Sequence, residues 1–317
     1  MLDIISIGES LVELFADEPI ATAPALFKSY GGDALVVVSA AARLGSRTGF
    51  VTRVGRDPFE SFLIDNWIRE GIDTSHVRTI EGHNGLYVIS LLAEGESDIA
   101  YYRQGSAACT LTPDDLDAAY LRSAKVVHTS GVAQAISQGG RDVVREAAHL
   151  VRGRGPLFSY DPNYRPRLWA NADARSALTE IMPYVDIMLL SAPDESFELI
   201  DLTEPEEVID FFWSHGVRIV VVRAGHEGCY VGADRRITHL PAHRPGPTVD
   251  TTGVGAVFNG AFLHGLTARQ DPVQAARLAT VMAGLTVQTR GALRSLPSSE
   301  EVISAVATLR TDLRPGS

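Results

Sequence analysis

Cysteine is scarce: Cys109 and Cys229 are the only 2 in 317 residues. They lie far apart with no paired spacing, which excludes a disulfide framework or cysteine metal site and fits reduced thiols. Basic runs are missing too. The formal net charge is −11, and no Lys/Arg cluster is long enough for a nucleic-acid footprint, so nucleic acid is not an expected partner. This deficit says little about a small anionic ligand, because a few local arginines outweigh distant negative charge. No stretch approaches the roughly 18 apolar residues of a membrane span. The opening MLDIISIGES lacks the basic and long apolar segments of a secretory signal. Repeats and low-complexity tracts are absent, and only the final RPGS reads as a disordered tail. The expectation is a soluble, cytoplasmic protein with no membrane partner.

What is present is a large apolar fraction, 45%, enough for one large α/β domain over 1–317 with a small appendage. Short β-branched runs at 3–8, 47–55, 124–131, 156–163, 185–191 and 217–225 read as strands. Most are apolar throughout, as parallel strands covered on both faces must be. Helical patterns fall between them at 34–44, 57–70, 140–153, 173–183 and 204–215, and consecutively at 255–266, 272–290 and 298–310. Pro113, Pro193, Pro272 and Pro297 sit where helices should start. The alternation predicts a doubly wound, mostly parallel sheet with helices on both faces. One region breaks it: GLYVISLLAEGESDIAYYR (85–103) reads as a hairpin around a polar AEGES turn. With edge strands from about 10–33, it predicts a small β lid spanning about 85–104 in its second half.

Several segments could carry chemistry. In VDTTGVGA (249–256) an acid and two hydroxyls lead through Gly253, Val254 and Gly255 to Ala256 and an apolar helix containing Asn259. Free backbone N–H groups and the helix dipole would attract an anion there; an ordinary Thr/Asp cap is the bland alternative. The stretch has neither the Lys of a Walker loop nor a dinucleotide fingerprint. Gly31-Gly32-Asp33 precedes a core-facing helix, and either presents backbone amides to a ligand or simply enters and caps the helix. Tyr102 and Arg103 end the lid hairpin, where Arg is a natural bidentate partner for a carboxylate. SYDPNYRPRLW (159–169) places Asp161, Asn163, Arg165 and Arg167 after a strand, the edge where open α/β sheets bind ligands. VRAGHEGCYVG (222–232) turns through Gly225 and Gly228, bordering a nucleotide or forming a plain hairpin. Asp194 and Glu195, after Ser191, could orient hydrated Mg²⁺ or be solvated acids. His128, His226 and His239 lack metal-ligand spacing and read as structural.

In order, these segments resemble the ribokinase-like carbohydrate kinases of the PfkB type, over nearly the whole chain. GGD…AARLG, RAGHEG and DTTGVGA…FNGAF are similar to that family's signature regions and nucleotide loop. Within the family, GLYVISLL, YYRQGSA and DPNYRPRLW look most like 2-keto-3-deoxygluconate kinases. The resemblance implies transfer of phosphate from ATP, with Mg²⁺, to a primary hydroxyl of a sugar or sugar acid. It implies that Gly31, Gly32, Asp33, Tyr87, Tyr102, Arg103, Asn163 and Arg165 hold the sugar acid and that Asp250 reaches a sugar hydroxyl. Gly253, Val254, Gly255 and Ala256 would form the anion hole. Ser191, Arg223, Gly225, Gly228 and Asn259 would line the nucleotide, and Asp194 would serve the metal. It also implies a homodimer through the lid. Three positions depart from the pattern: Ala256 where the family has its proton-accepting Asp, Val36 for an Asn, and Arg56 in a usual Gly-Asp pair. The alternative is a catalytically impaired relative that binds a sugar acid or nucleotide as a sensor or scaffold.

Overall fold

The computed structural model describes residues 1–16, 18–91, 97–291 and 293–312. Most of the expected AEGES turn and the RPGS tail lie outside the described residues. Among the described residues fourteen strands form two sheets. The large sheet holds β1 (Ile4–Ile7), β4 (Thr48–Gly55), β5 (Ile72–Asp73), β6 (Val77–Ile80), β9 (Val126–Ser130), β10 (Leu157–Asp161), β11 (Ile187–Ser191), β12 (Ile219–Arg223), β13 (Cys229–Ala233) and β14 (Arg236–Leu240). Its order is β14-β13-β12-β11-β10-β9-β1-β4-β5, with β6 also on β4. Pairing is parallel from β12 to β5 and antiparallel at β13 and β14.

Side-chain alternation explains why these strands are apolar throughout. Ile4, Ile187, Leu189 and Val221 point into one core cluster, while Ile5, Ile7, Met188, Leu190, Val220 and Val222 point into another. The first cluster is closed by α1 (Asp33–Arg43), α2 (Glu60–Arg69), α9 (Val254–Thr267), α10 (Pro272–Thr286) and α11 (Ser299–Asp312). Across the sheet, α5 (Gln138–Val151), α6 (Asn171–Ile181) and α8 (Pro205–Ser214) do most of the covering. Three short helices, α3 (Ala118–Arg122), α4 (Gly131–Ala135) and α7 (Asp194–Ile200), together with β5, β6 and β14, are additions to the sequence expectation. The helices and β5 are too brief for periodicity to register, while β6 (VRTI) and β14 (RITHL) lack a continuous apolar run. Among the described residues no helix is long and apolar enough to cross a membrane.

The expected helix over 272–290 stops at Thr286. The carbonyl of the next residue, Val287, is turned away to accept the amides of Val249 (2.7 Å) and Asp250 (3.2 Å).

The second sheet contains β2 (Leu11–Phe15), β3 (Phe27–Gly31), β7 (Gly85–Leu91) and β8 (Ser97–Tyr102), in the order β3-β2-β7-β8. Its strands come from the segments 11–31 and 85–102. Its register sets Glu13, Tyr87 and Tyr101 side by side on one face, and Val12, Leu86 and Tyr102 on the other.

Candidate active site

The anion turn is built by Asp250. One carboxylate oxygen accepts the Thr252 amide (2.8 Å) and the other the Gly291 amide (2.9 Å). Thr251 O accepts the Val254 amide (3.2 Å), and Gly253 caps α9 in a left-handed conformation, φ 72°, which glycine adopts without a Cβ penalty. The amides of Gly255 and Ala256 belong to the first-turn donors that no helical carbonyl can reach, so the turn presents N–H groups and the positive end of α9 together. Asp250, expected to reach a sugar hydroxyl, spends one lone pair of each oxygen on holding this turn. Ala256 is half-buried and packs against the core cluster that also contains Val36.

Beneath α9 lies a buried polar network. Arg223, at the end of β12, makes a fork to Asp161 at the end of β10 (3.0 and 3.3 Å), donates Nε to Ser191 Oγ (3.2 Å) and reaches Asn259 Oδ1. Asn259 Nδ2 in turn donates to Asp161 Oδ2 (2.6 Å). Glu195 stands 3.9 Å from Arg223 and accepts the amides of Tyr164 and Ser191, both at 2.7 Å. Burial pushes the Glu195 carboxyl up, and Asp161 pushes the same way. A Cβ on Gly255 would sit 3.6 Å from the Arg223 guanidinium carbon, so the network supports the floor of the anion turn. Ser191, Arg223 and Asn259, expected on the nucleotide side, are thus brought together. Gly225 and Gly228 follow at the β12–β13 turn, where Gly228 packs on the backbone of Leu240 to Ala242.

Asp194, the expected metal residue, is exposed on the first turn of α7 and lies outside this network. Glu195, one residue on, points in. Mg²⁺ keeps several waters and uses one or two carboxylates plus phosphates. Among the described residues no group of three acids, His or Cys could hold a metal directly. Glu195, with a lone pair to spare on each oxygen, fits a hydrated Mg²⁺ held through water; Asp161 already accepts four hydrogen bonds, and Asp194 stands outside the network.

Most residues expected on the sugar side lie at or beside the small sheet. Gly31 allows Tyr87 to approach: a Cβ there would lie 2.5 Å from its hydroxyl. Tyr87 donates to Glu13, whose carboxyl is pushed up by burial, with Asp250 adding to the effect. Gly32 lies against the Glu9 backbone. Arg103, expected to offer a free cation, is paired with Glu9 at the end of β1 and lies over the Tyr101 ring (4.2 Å). Tyr102, expected to hold substrate, is 62% exposed on the opposite face; Tyr101 takes the place beside Arg103 and Tyr87. Asn163, in a left-handed turn, donates to Asp33 Oδ2 (3.2 Å). Arg165 is exposed on the following loop. Glu9 and Glu13 were absent from the expected site, although an acid directly after an apolar strand, IISIGE, was a readable signal. His128 is structural in position: it bonds Ser159 (3.0 Å) and burial holds its pKa down at about 4, while His226 and His239 are exposed.

A mostly parallel sheet between helices, with a separate small sheet, is a ribokinase-like α/β fold. Residues 1–299 match the pfkB family carbohydrate kinase model, and the chain belongs to that family. It is similar to a 2-dehydro-3-deoxygluconokinase of Thermoproteus tenax, 31% identical over 96% of this chain and 95% of the relative. It is also similar to fructokinase-1 of Zea mays, 30% identical over 96% and 97%. Among solved structures, a fructokinase with bound ATP from Xylella fastidiosa superposes with TM-score 0.87 at 23% identity, covering 98% of this chain and 100% of that one.

Proposed function

We propose that the protein is an ATP-dependent kinase acting on a primary hydroxyl of a sugar or sugar acid of the 2-dehydro-3-deoxygluconate (2-keto-3-deoxygluconate) type, with slow turnover. The observation that carries this reading is the intact anion turn, Gly253 to Ala256, braced on Arg223 and facing a sheet that brings Arg103, Tyr101 and Tyr87 together. The turn's amides would hold the transferring phosphoryl group, and Gly225 and Gly228 would border the nucleotide. Mg²⁺ would neutralise phosphate charge, with Glu195 ordering its waters. Arg103 and Arg165 would take the substrate carboxylate. Phosphoryl transfer rests mainly on positioning and charge stabilisation, so turnover can survive without a carboxylate at position 256. General-base catalysis contributes about 10²–10⁴-fold, or roughly 3–5 kcal/mol, and that part is missing.

The packing of Ala256 into the same apolar cluster as Val36 supports a second reading, a sugar-acid or nucleotide sensor that no longer turns over. A coupled assay with 2-dehydro-3-deoxygluconate and saturating Mg-ATP separates the two. Activity above background, raised roughly 10²-fold or more by Ala256→Asp, supports the kinase. Background rates in both proteins, with ligand binding intact, support the sensor. A homodimer through the small sheet, where Leu26, Phe27 and Tyr102 are exposed, accompanies either reading and is tested by light scattering.

A further inference from the structure

Three buried polar atoms on the sugar side have no hydrogen-bond partner among the described residues: Glu9 Oε2, Asp33 Oδ1 and Arg103 Nε. They belong to one cluster. Glu9 is 1% exposed and its ion pair is Arg103. Asp33, at the start of α1, pushes against its charge. Cys109, from the turn Ala107–Thr110, is the other titratable neighbour; burial raises its thiol pKa, which keeps it neutral. His128 lies near Asp33 and stays uncharged, its pKa held at about 4. Glu9 is therefore a buried carboxylate with one cation and one acidic neighbour.

We propose that a sugar acid binds by drawing Arg103 away from Glu9, and that Glu9, left buried without its cation, takes up one proton from solvent. The inference rests on the sugar-acid reading above. Its physical basis is the cost of leaving a buried carboxylate uncompensated, which a proton removes. The substrate carboxylate replaces Glu9 on the guanidinium, and protonated Glu9 then has an O–H to donate toward the open acceptor Asp33 Oδ1. Charge in the pocket is conserved: one anion enters and one is neutralised.

The sign of the pH effect follows. In the free protein burial lifts Glu9 to about 7, against the pull of Arg103. Below that pH Glu9 already carries its proton and binding needs none. Above it binding must recruit one, so sugar-acid affinity falls by up to about tenfold per pH unit. A neutral ketose leaves Arg103 on Glu9 and shows no such slope.

The test is calorimetry of the full chain with 2-dehydro-3-deoxygluconate at pH 8, in buffers of differing ionisation enthalpy, with fructose as the neutral control. The expected result is uptake approaching one proton for the acid and none for fructose. Glu9→Gln should abolish the uptake and flatten the pH dependence. Binding of the acid without proton uptake by the unaltered protein overturns the coupling and leaves the kinase reading standing, whether or not the variant folds. Uptake that persists in a folded Glu9→Gln protein overturns the assignment to Glu9. Failure of the acid to bind while Mg-ATP still binds removes the sugar-acid reading and the coupling with it.

Discussion

Two buried clusters of opposite charges at the candidate site are finished to different degrees. Under α9, Arg223 is tied to Asp161, Asn259 and Ser191, and Glu195 accepts two backbone amides. Below the small sheet, Arg103 and Glu9 form one pair, and each keeps a buried atom open beside the open Oδ1 of Asp33. A saturated network fixes geometry, because any loss leaves an uncompensated charge. An unsaturated one stands ready to exchange a partner for a ligand. Under the proposed function, one site would hold the phosphate end in place and the other would respond to the sugar end.

The largest expected effect breaks the finished cluster. Arg223→Met leaves Asp161 and Glu195 without their shared cation and should cost about 3–5 kcal/mol of stability, read from a denaturant midpoint at neutral pH. Arg103→Ala should cost less, about 1–2 kcal/mol, because Glu9 can escape by protonation. Its main effect should be on ligands: sugar-acid affinity down roughly 10–100-fold, in line with about 1.5–3 kcal/mol for a hydrogen bond to a charged group, with nucleotide affinity unchanged. Equal loss of both ligands would show that Arg103 is structural. A finer contrast lies within the lid. Tyr101→Ala removes the ring under Arg103 and should weaken sugar-acid binding by about 0.5–1 kcal/mol. Tyr102→Ala should change it by less than about 0.5 kcal/mol, as competition binding of the two variants would reveal.

Much of the fold could be read from residues alone, because buried parallel strands such as IVVVR and IMLLS are apolar on both faces. The lid was legible from its break in rhythm. What escaped was set by register and distance. Whether Tyr101 or Tyr102 faces Arg103 depends on strand pairing, since one residue of slip inverts every side chain. That Arg103 meets Glu9, 94 residues away, follows from topology and from no local pattern. Likewise, which of the adjacent acids Asp194 and Glu195 turns inward is decided by the first turn of α7, a helix of 7 residues. Motifs marked segments that the fold brings together; they did not show which of their charges were already spoken for.

The clamp at Asp250 has a mechanical consequence. Through its two oxygens and the shared Val287 carbonyl, the anion turn is stitched to the stretch that leaves α10. Because α9 and α10 pack side by side, the turn closes a loop of rigid members, like a strut pinned at both ends. Rotation of α9 about its axis must drag residues 287–291 with it, so its first turn is held stiff from behind rather than by whatever it binds.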